Sequence, residues 1–156
     1  MASWGELLAA QPDFAAAVRA RFDARTHKVM ATLRKDGSPR VSGIEVSFVG
    51  EEMWLGMMPG SRKAADLRRD PRIAVHSGSA DPGADGSGWD GDAKVAGRAV
   101  EIDDPSVWAA LGAPGGDGHL FRVDLAEATV VRLGEPADHL VIEHWRVGEG
   151  ISRTRR

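Results

Sequence analysis

Short runs that alternate apolar and polar residues, each closed by a turn signal, constrain the fold of this chain most strongly. Residues 27–34 form one such run and end near Asp36-Gly37, and residues 41–49 form the next one. Asp-Gly between two alternating runs predicts a β-hairpin. In the second run every other residue is apolar between positions 44 and 48, as expected for a strand with one buried face.

The rest of the chain continues this pattern, with few and small helices. Further strands are predicted at residues 53–58, 72–77, 93–102, 120–133 and 140–146. Helices are predicted at residues 4–24, as one helix or as two halves broken near Pro12, at residues 61–69, and from Asp104-Pro105 to Leu111. Six or more short strands with two or three small helices favour a mostly antiparallel β-barrel.

One domain is expected over residues 1–156, because this length suits a single core and no internal repeat divides the chain. Residues 78–91 are rich in Gly, Asp and Ser, which predicts a flexible surface loop. A second loop is expected at residues 113–118.

Charge and composition exclude several classes of function. The formal net charge is −3 with both signs interspersed, which argues against a nucleic-acid partner. The chain has no cysteine, so thiolate catalysis and disulfides are ruled out. The N-terminus lacks the features of a signal peptide, and no window approaches the roughly 20 apolar residues of a membrane span. We therefore expect a cytoplasmic protein without a membrane partner.

The segment Gly60-Ser61-Arg62-Lys63 raises a question of charge, because it opens a predicted helix. Two cations at a helix start are unfavourable, since that end of the helix dipole is already positive. Gly60 lets the chain turn and Ser61 fits the N-cap position. Free amides, a hydroxyl and two cations together would form a cradle for a phosphate. The alternative is a surface helix whose cations are merely solvated.

Four segments together resemble the split-barrel flavin-binding superfamily, which includes the pyridoxamine 5′-phosphate oxidases and the flavin/deazaflavin oxidoreductases. They are ATLRKDGSPRV, MWLGMMPGSRKAADLRRDPRIAVHS, KVAGRAVEI and EHWRVGEGISRTRR, and the resemblance covers residues 27–156. It implies a mainly β fold with small helices, a six-stranded antiparallel split barrel of Greek-key type. It also implies a homodimer that holds its cofactor in a groove between the two subunits.

The resemblance assigns cofactor-binding positions residue by residue. They are Met57, Met58, Gly60, Ser61, Arg62 and Lys63 around the phosphate, ribityl chain and ring, and Trp145 and Arg155 in the C-terminal segment. The two methionines are apolar, so they would form a wall against the ring in place of hydrogen bonds. Catalytic residues are not assigned, because the cofactor carries the chemistry and the protein supplies position and electrostatics.

Several departures argue against pyridoxamine phosphate as the substrate. On the second strand the family's oxidases carry an Arg for the flavin phosphate and a Lys for the substrate phosphate, where this chain has Ser42 and Ser47. Their C-terminal Arg-Leu-His-Asp-Arg signature reads Ile-Ser-Arg-Thr-Arg at residues 151–155, so its first Arg is lost or displaced. A site without these cations should not select for a substrate phosphate.

FMN is the expected cofactor and the deazaflavin coenzyme F-420 is the alternative, since both present a phosphate and a ribityl chain to the same motif. The missing second-strand Arg weakens the case for tight FMN binding. The deazaflavin's oligoglutamate tail needs further cations, for which Arg68, Arg69 and Arg72 are available, although Arg68 and Arg69 also fit a solvated helix face. A degenerate site and a haem site are the remaining alternatives.

The resemblance implies a flavin- or deazaflavin-dependent oxidoreductase that exchanges hydride with a small organic substrate. The alternative is a protein that binds or carries flavin, haem or another tetrapyrrole without turnover. No metal site is expected, because no pair among the five histidines has the helical His-x-x-x-His spacing. Glu45 and His76 are weaker candidates for ligand contact, since each faces away from the apolar side of its strand.

Overall fold

A computed structural model of the chain describes residues 1–112 and 117–156. Four helices lie in these residues: α1, Trp4–Ala10; α2, Pro12–Asp23; α3, Arg62–Arg69; and α4, Pro105–Ala110. The same residues contain nine strands: β1, Lys28–Leu33; β2, Pro39–Ile44; β3, Val46–Val49; β4, Glu52–Met57; β5, Arg72–His76; β6, Asp92–Glu101; β7, His119–Leu133; β8, Leu140–Arg146; and β9, Gly150–Arg155. The strands form one antiparallel sheet.

The sheet curves into a barrel because one stretch of chain provides both of its ends. The strand order is β2-β1-β5-β6-β7-β4-β3, which places β2 and β3 at opposite ends of the path. Only Glu45 separates these two strands along the chain. Since β2 pairs with β1 and β3 pairs with β4, the path must return on itself at this residue. Counted as one bent strand, residues 39–49 give six positions around an open, or split, barrel.

The long strand β7 connects the barrel to a smaller ribbon. One edge of β7 pairs with β6 from Phe121 to Val131. The other edge pairs with β4 through residues 119–122 and with β8 through residues 127–133. In the described part of the chain β9 pairs with β8 and no other strand, so these two strands form an arm beside the barrel.

Apolar side chains fill the barrel, and the two N-terminal helices cover it. The largest completely buried side chains are Leu7, Phe22, Met30, Met53, Leu55, Phe121 and Leu125. Burying a side chain of this size contributes roughly 1.5–3 kcal/mol. The ring of Phe48, on β3, lies 4.4 Å from Trp4 of α1 and 5.9 Å from Phe22 of α2. The helices therefore hold β3 in place.

The antiparallel split barrel with small helices is confirmed, and so is the first hairpin. Arg34 N donates to Ser38 O at 2.9 Å, and Gly37 has a φ of +83° at the turn. Of the two N-terminal alternatives, the pair of helices that meet at Pro12 is the one observed. Residues 77–91 contain turns and no helix or strand. Residues 113–116 of the second expected loop lie outside the described residues.

Two features differ from the sequence-based expectation. Residues 41–49 were expected as one strand, and they form two strands that bend at Glu45. The inward alternation nevertheless continues through the bend, because Ile44 is buried and Val46 and Phe48 pack against the core. The C-terminal strand β9 was not predicted at all.

Candidate functional site

The start of α3 has the turn that the sequence predicted but not the expected cap. Gly60 has a φ of +69°, a left-handed conformation that glycine adopts without strain. Ser61 occupies the N-cap position, yet its hydroxyl makes no capping hydrogen bond. Instead Ser61 Oγ lies 4.0 Å from Met57 Sδ. The first amides of the helix therefore have no side-chain acceptor.

The backbone amides of Arg62, Lys63 and Ala64 are the donors left free by this arrangement. The first hydrogen bond of the turn runs from Ala65 N to Ser61 O, at 3.1 Å. Within the described residues no acceptor pairs with the three preceding amides. Free amides at the positive end of a helix dipole attract an anion. The start of α3 therefore has the free donors that a negatively charged group could accept from.

A pocket of about 380 Å³ opens beside this helix start, and we call it the α3 pocket. It is lined by His27, Gly43, Ile44, Glu45, Ser47, Gly56, Met57, Met58 and Lys63. Three parts of the fold meet there, namely the bend between β2 and β3, the end of β4 and the first turn of α3. Its volume lies within the range of roughly 300–1,000 Å³ that is usual for small-molecule sites.

Lys63 reaches into the α3 pocket, whereas the two methionines point in opposite directions. Lys63 Nζ donates to Gly43 O at 2.6 Å, and because this acceptor is a neutral carbonyl, the ammonium charge is not balanced by it. Met57 is 7% exposed and belongs to the core, while Met58 is 80% exposed. Neighbouring residues diverge where a strand ends in this way. The two methionines are expected to form an apolar wall against the ring, and only Met58 of this pair has an accessible side chain.

Arg62 lies on a different side of α3 from Lys63. Consecutive residues of an α-helix project about 100° apart. Arg62 lines a second groove, of about 690 Å³, between α3 and the turn that joins β1 to β2. We call this the basic groove. The structure therefore separates the two cations of the predicted phosphate cradle.

A buried carboxylate that the sequence analysis missed attaches α3 to the barrel. Asp66 is 3% exposed. Its carboxylate accepts hydrogen bonds from Thr32 Oγ1 at 2.9 Å, Arg40 Nε at 2.6 Å and Arg69 Nη2 at 2.8 Å. Burial alone would raise the pKa of Asp66, but these hydrogen bonds lower it more strongly, to about 2. The helix is thus anchored to β1 and β2 by an ionised group.

The two C-terminal positions of the predicted site lie outside the α3 pocket. Trp145, on β8, is 5% exposed and packs in the core. Arg155, on β9, is exposed, and its Nη2 lies 3.3 Å from Nδ1 of His139. One chain therefore brings Met57, Met58 and Lys63 together in the α3 pocket, whereas Arg62 lies in the basic groove and the two residues of the C-terminal arm lie in neither.

The three arginines considered for an anionic cofactor tail are each paired with a carboxylate. Arg68 makes two hydrogen bonds of 2.6 Å to Glu101. Arg69 bonds Asp66, and Arg72 pairs with Asp70. Their charges are therefore largely balanced within the chain.

Each of the five histidines pairs with one carboxylate. Among the residues described, no group of three or more His, Asp or Glu is placed to hold a metal ion. In those same residues, no helix has both the length and the apolar character needed to cross a membrane.

The family model described as pyridoxamine 5′-phosphate oxidase matches residues 14–132 of the chain. This stretch runs from α2 into β7 and contains every residue that lines the α3 pocket and the basic groove. No curated protein is similar to the chain at a significant level.

Solved structures with the same architecture include proteins that bind different ligands. An FMN-binding protein related to pyridoxamine 5′-phosphate oxidase, from Nostoc punctiforme, has a TM-score of 0.62 at 15% identity, with 94% of this chain and 95% of that chain covered. PhzG from Burkholderia lata, solved with tetrahydrophenazine-1-carboxylic acid, has a TM-score of 0.60 at 14% identity. The match covers 98% of this chain and 92% of that chain. A haem-binding protein from Mycobacterium smegmatis has a TM-score of 0.58 at 15% identity. The match covers 90% of this chain and 87% of that chain. At these identities the likeness shows a shared fold.

Proposed function

The chain belongs to the pyridoxamine 5′-phosphate oxidase family, and from this premise we propose that it is a cytoplasmic FMN-dependent oxidoreductase. The deazaflavin coenzyme F-420 is the alternative cofactor. A bound flavin supplies the hydride-transfer chemistry toward a small organic substrate. The residues of the chain bind the cofactor phosphate, orient the ring and limit the access of water.

The observation that carries this proposal is the set of free donors at the start of α3. The amides of Arg62, Lys63 and Ala64 have no acceptor in the described part of the chain, and Lys63 Nζ bonds a carbonyl. These donors match a phosphate monoester, which accepts several charge-assisted hydrogen bonds at once. Beside them Met58, 80% exposed, offers apolar surface that a flavin ring would cover.

The pairing of Arg68, Arg69 and Arg72 makes these three arginines poor candidates for binding the oligoglutamate tail of coenzyme F-420. Arg68, Arg69 and Arg72 already pair with carboxylates of the chain, so a polyanionic cofactor tail would have to displace those partners. FMN has no such tail, so these ion pairs can stay intact when it binds. The second strand also carries an arginine, Arg40, two residues before Ser42 and on the same face. That arginine lines the basic groove and not the α3 pocket, and its Nε bonds Asp66, so it does not replace the arginine that is missing at position 42.

Pyridoxamine phosphate is not the substrate we propose. Ser47 lines the α3 pocket at the position where the family's oxidases carry the lysine for the substrate phosphate. Arg153, in the C-terminal segment, pairs with Glu143 at 2.6 Å. Neither residue offers a free cation to a substrate phosphate, so selectivity for one is not expected.

We also propose that two copies of the chain assemble around the cofactor. The outward face of β1, β2 and β5, which we call the outer apolar face, carries Val29, Ala31, Val41 and Ala74. Ala31 pairs in register with both Val41 and Ala74, so these side chains are contiguous. Val41 is 71% exposed, and the face borders the α3 pocket at Gly43. A second copy packed there would bury this face and cover the pocket, and the exposed Arg155 of one copy would reach the cofactor of the other.

Titration of FMN and of coenzyme F-420 into the wild-type protein and into Lys63→Ala tests the cofactor assignment. Loss of one charge-assisted contact is expected to weaken FMN affinity by roughly 10- to 100-fold. The control is Lys35→Ala, which removes an exposed lysine of the basic groove and should leave FMN affinity unchanged. Equal FMN affinity in wild type and Lys63→Ala would refute the assignment. If the wild type binds coenzyme F-420 more tightly than FMN, coenzyme F-420 is the cofactor.

Haem binding without turnover is the second candidate function, and the position of His27 favours it. His27 lines the α3 pocket, and its side chain is 83% exposed. Imidazole is a common axial ligand of haem iron. An absorption spectrum of the purified protein separates the two candidates, since flavin absorbs at about 450 nm and haem gives a Soret band. A Soret band that disappears in His27→Ala would favour the haem carrier.

A further inference from the structure

Residues 1–11, which we call the N-terminal segment, lie against the barrel through a small number of backbone contacts. Ala2 and Leu125 of β7 exchange two hydrogen bonds, of 2.8 and 2.7 Å. Gly5 N donates to Glu51 O, in the turn between β3 and β4, at 2.9 Å. This contact is close, since a Cβ added at Gly5 would lie 2.6 Å from the Cβ of Glu51. The segment therefore rests directly on the β3–β4 turn.

Glu52, the residue after this turn, has one carboxylate oxygen without a partner among the described residues. This oxygen, Oε2, is sealed from solvent. The other oxygen, Oε1, lies 3.9 Å from Nη1 of Arg122, which is beyond hydrogen-bond distance. Nε of Arg122 instead donates to Asp124 at 3.1 Å. An ionised Glu52 would therefore lack the hydrogen bonds that a buried charge needs.

The charges around Glu52 do not favour its ionised form either. In the described part of the chain one cation and three carboxylates face it: Arg122 and Asp124 on β7, Glu6 on α1 and Glu51 in the turn. Its cross-strand partner on β3 is the apolar Val49. Burial raises the pKa of Glu52 above its ordinary value of 4.5, Arg122 offsets part of this rise, and the three carboxylates add to it. The protonated form is therefore the one that fits the folded chain.

The N-terminal segment is the element that can respond to a charge on Glu52. The strands β4 and β7 are fixed in the sheet, whereas the segment is held by the three backbone hydrogen bonds above and by the burial of Trp4 and Leu7. The segment carries Glu6, whose carboxylate accepts from Ser3 N at 2.7 Å in the cap of α1. Its departure would separate two carboxylates and admit water to the sealed oxygen.

We propose that a proton on Glu52 keeps the N-terminal segment docked on the barrel, and that the segment loosens when Glu52 loses this proton to water. The ionised carboxylate repels Glu6 and Glu51 as long as the segment is docked. Because the docked state binds the proton more tightly than the open state, docking weakens as the pH rises above 4.5. This sign is the reverse of that at Asp66, where the ionised form fits the fold.

Opening of the segment would act on β3. The ring of Trp4 lies 4.4 Å from that of Phe48, so loss of α1 uncovers one side of this strand. Phe48 follows Ser47, which lines the α3 pocket. The N-terminal segment is therefore a pH-sensitive support for one wall of that pocket.

Hydrogen exchange of the full-length protein, followed by NMR between about pH 5 and pH 8, tests this proposal. Protection factors compare each amide with an unstructured peptide at the same pH, which removes the intrinsic pH dependence of exchange. Leu125 N reports on docking, because it donates to Ala2 O at 2.7 Å. Leu7 N reports on α1 through its bond to Ser3 O, at 3.2 Å. We expect the protection of both amides to fall about tenfold or more as the pH rises.

Three variants separate the charge of Glu52 from its packing. Glu52→Gln keeps the shape without the charge, so both amides should stay protected at every pH. The matched control is Glu149→Gln, at a side chain that is 69% exposed, and it should keep the pH dependence of the wild type. Arg122→Met removes the facing cation and should increase the loss of protection at high pH, and adding Glu52→Gln should restore the protection.

The proposal is overturned if protection of the two amides does not change with pH in the wild type. It is equally overturned if Glu52→Gln keeps the wild-type change or fails to rescue Arg122→Met, or if Glu149→Gln removes the change. The amide of Ala99, which donates to Pro71 O at 2.8 Å, reports on the barrel. Exchange of the two segment amides at the same rate as Ala99 would also overturn it, because the whole fold would then open together.

Discussion

Asp66 shows how one side chain determines the position of the candidate site. It is buried, and it joins α3 to β1 and β2 through Thr32 and Arg40. Asp66→Asn keeps the shape but removes the charge, and it should lower the free energy of unfolding by about 2–3 kcal/mol. Urea denaturation at neutral pH measures this change. The exposed Asp13 serves as control, since Asp13→Asn should change stability by less than about 0.5 kcal/mol.

The pH dependence of stability gives an independent test of the same contact. The pKa of Asp66 falls from its ordinary value of 3.8 to about 2 in the folded chain. A depressed pKa means that the ionised form stabilises the fold, so this contribution is complete above pH 3.8 and is lost as the pH falls towards 2. In Asp66→Asn this part of the acid-induced loss of stability should disappear. An acid titration with the same slope as in wild type would contradict the assignment.

The sequence predicts the local features at the start of α3 better than it predicts which side chains share a cavity. Gly60, Ser61, Arg62 and Lys63 were recognisable because a turn, a cap position and the cations of a helix start are local signals. Which side of α3 each cation faces depends on how the helix packs, and Arg62 and Lys63 consequently line different cavities. Only one local feature of the sequence points to Asp66 as an anchor. It is an acidic residue that shares the buried side of a short helix with Ala64 and Leu67.

Strands β6 and β7 approach so closely at Gly97 that a side chain does not fit there. A Cβ at this position would lie 2.0 Å from the carbonyl oxygen of Asp124, next to the register shift between Ala96 and Gly97. Gly97→Ala should therefore lower the free energy of unfolding by about 3 kcal/mol. The control is Gly43→Ala on β2, where a Cβ meets no atom within 4 Å. Equal urea midpoints for the two variants would show that the strands are not packed as described.

Strands and helices with local signals were predicted well, and those that depend on distant partners were not. The β1–β2 hairpin follows from Asp36-Gly37, and α3 follows from its turn and its closing Asp70-Pro71. β9 has no local signal as clear as these, and it is a strand because it pairs with β8. The bend at Glu45 likewise arises because β2 and β3 pair with different strands.

If two chains assemble as proposed, the outer apolar face is buried between them, and a charge placed on it should separate them. Val41 is 71% exposed on that face, and Val41→Asp places a charge where a second copy is expected to pack. Light scattering should give a dimer for the wild type and a monomer for Val41→Asp, which should also bind FMN more weakly. Leu8→Asp, at an exposed apolar position of α1, is the control and should remain dimeric. A monomeric wild type, or a dimer that Val41→Asp leaves intact, would contradict the proposed interface.

The crystal structure of the protein grown with FMN tests the flavin assignment most directly. We expect the FMN phosphate to accept hydrogen bonds from Lys63 Nζ and from the amides of Arg62, Lys63 and Ala64, with the ring beside Met58. A phosphate bound away from the start of α3, or crystals that exclude FMN at saturating concentration, would contradict the account.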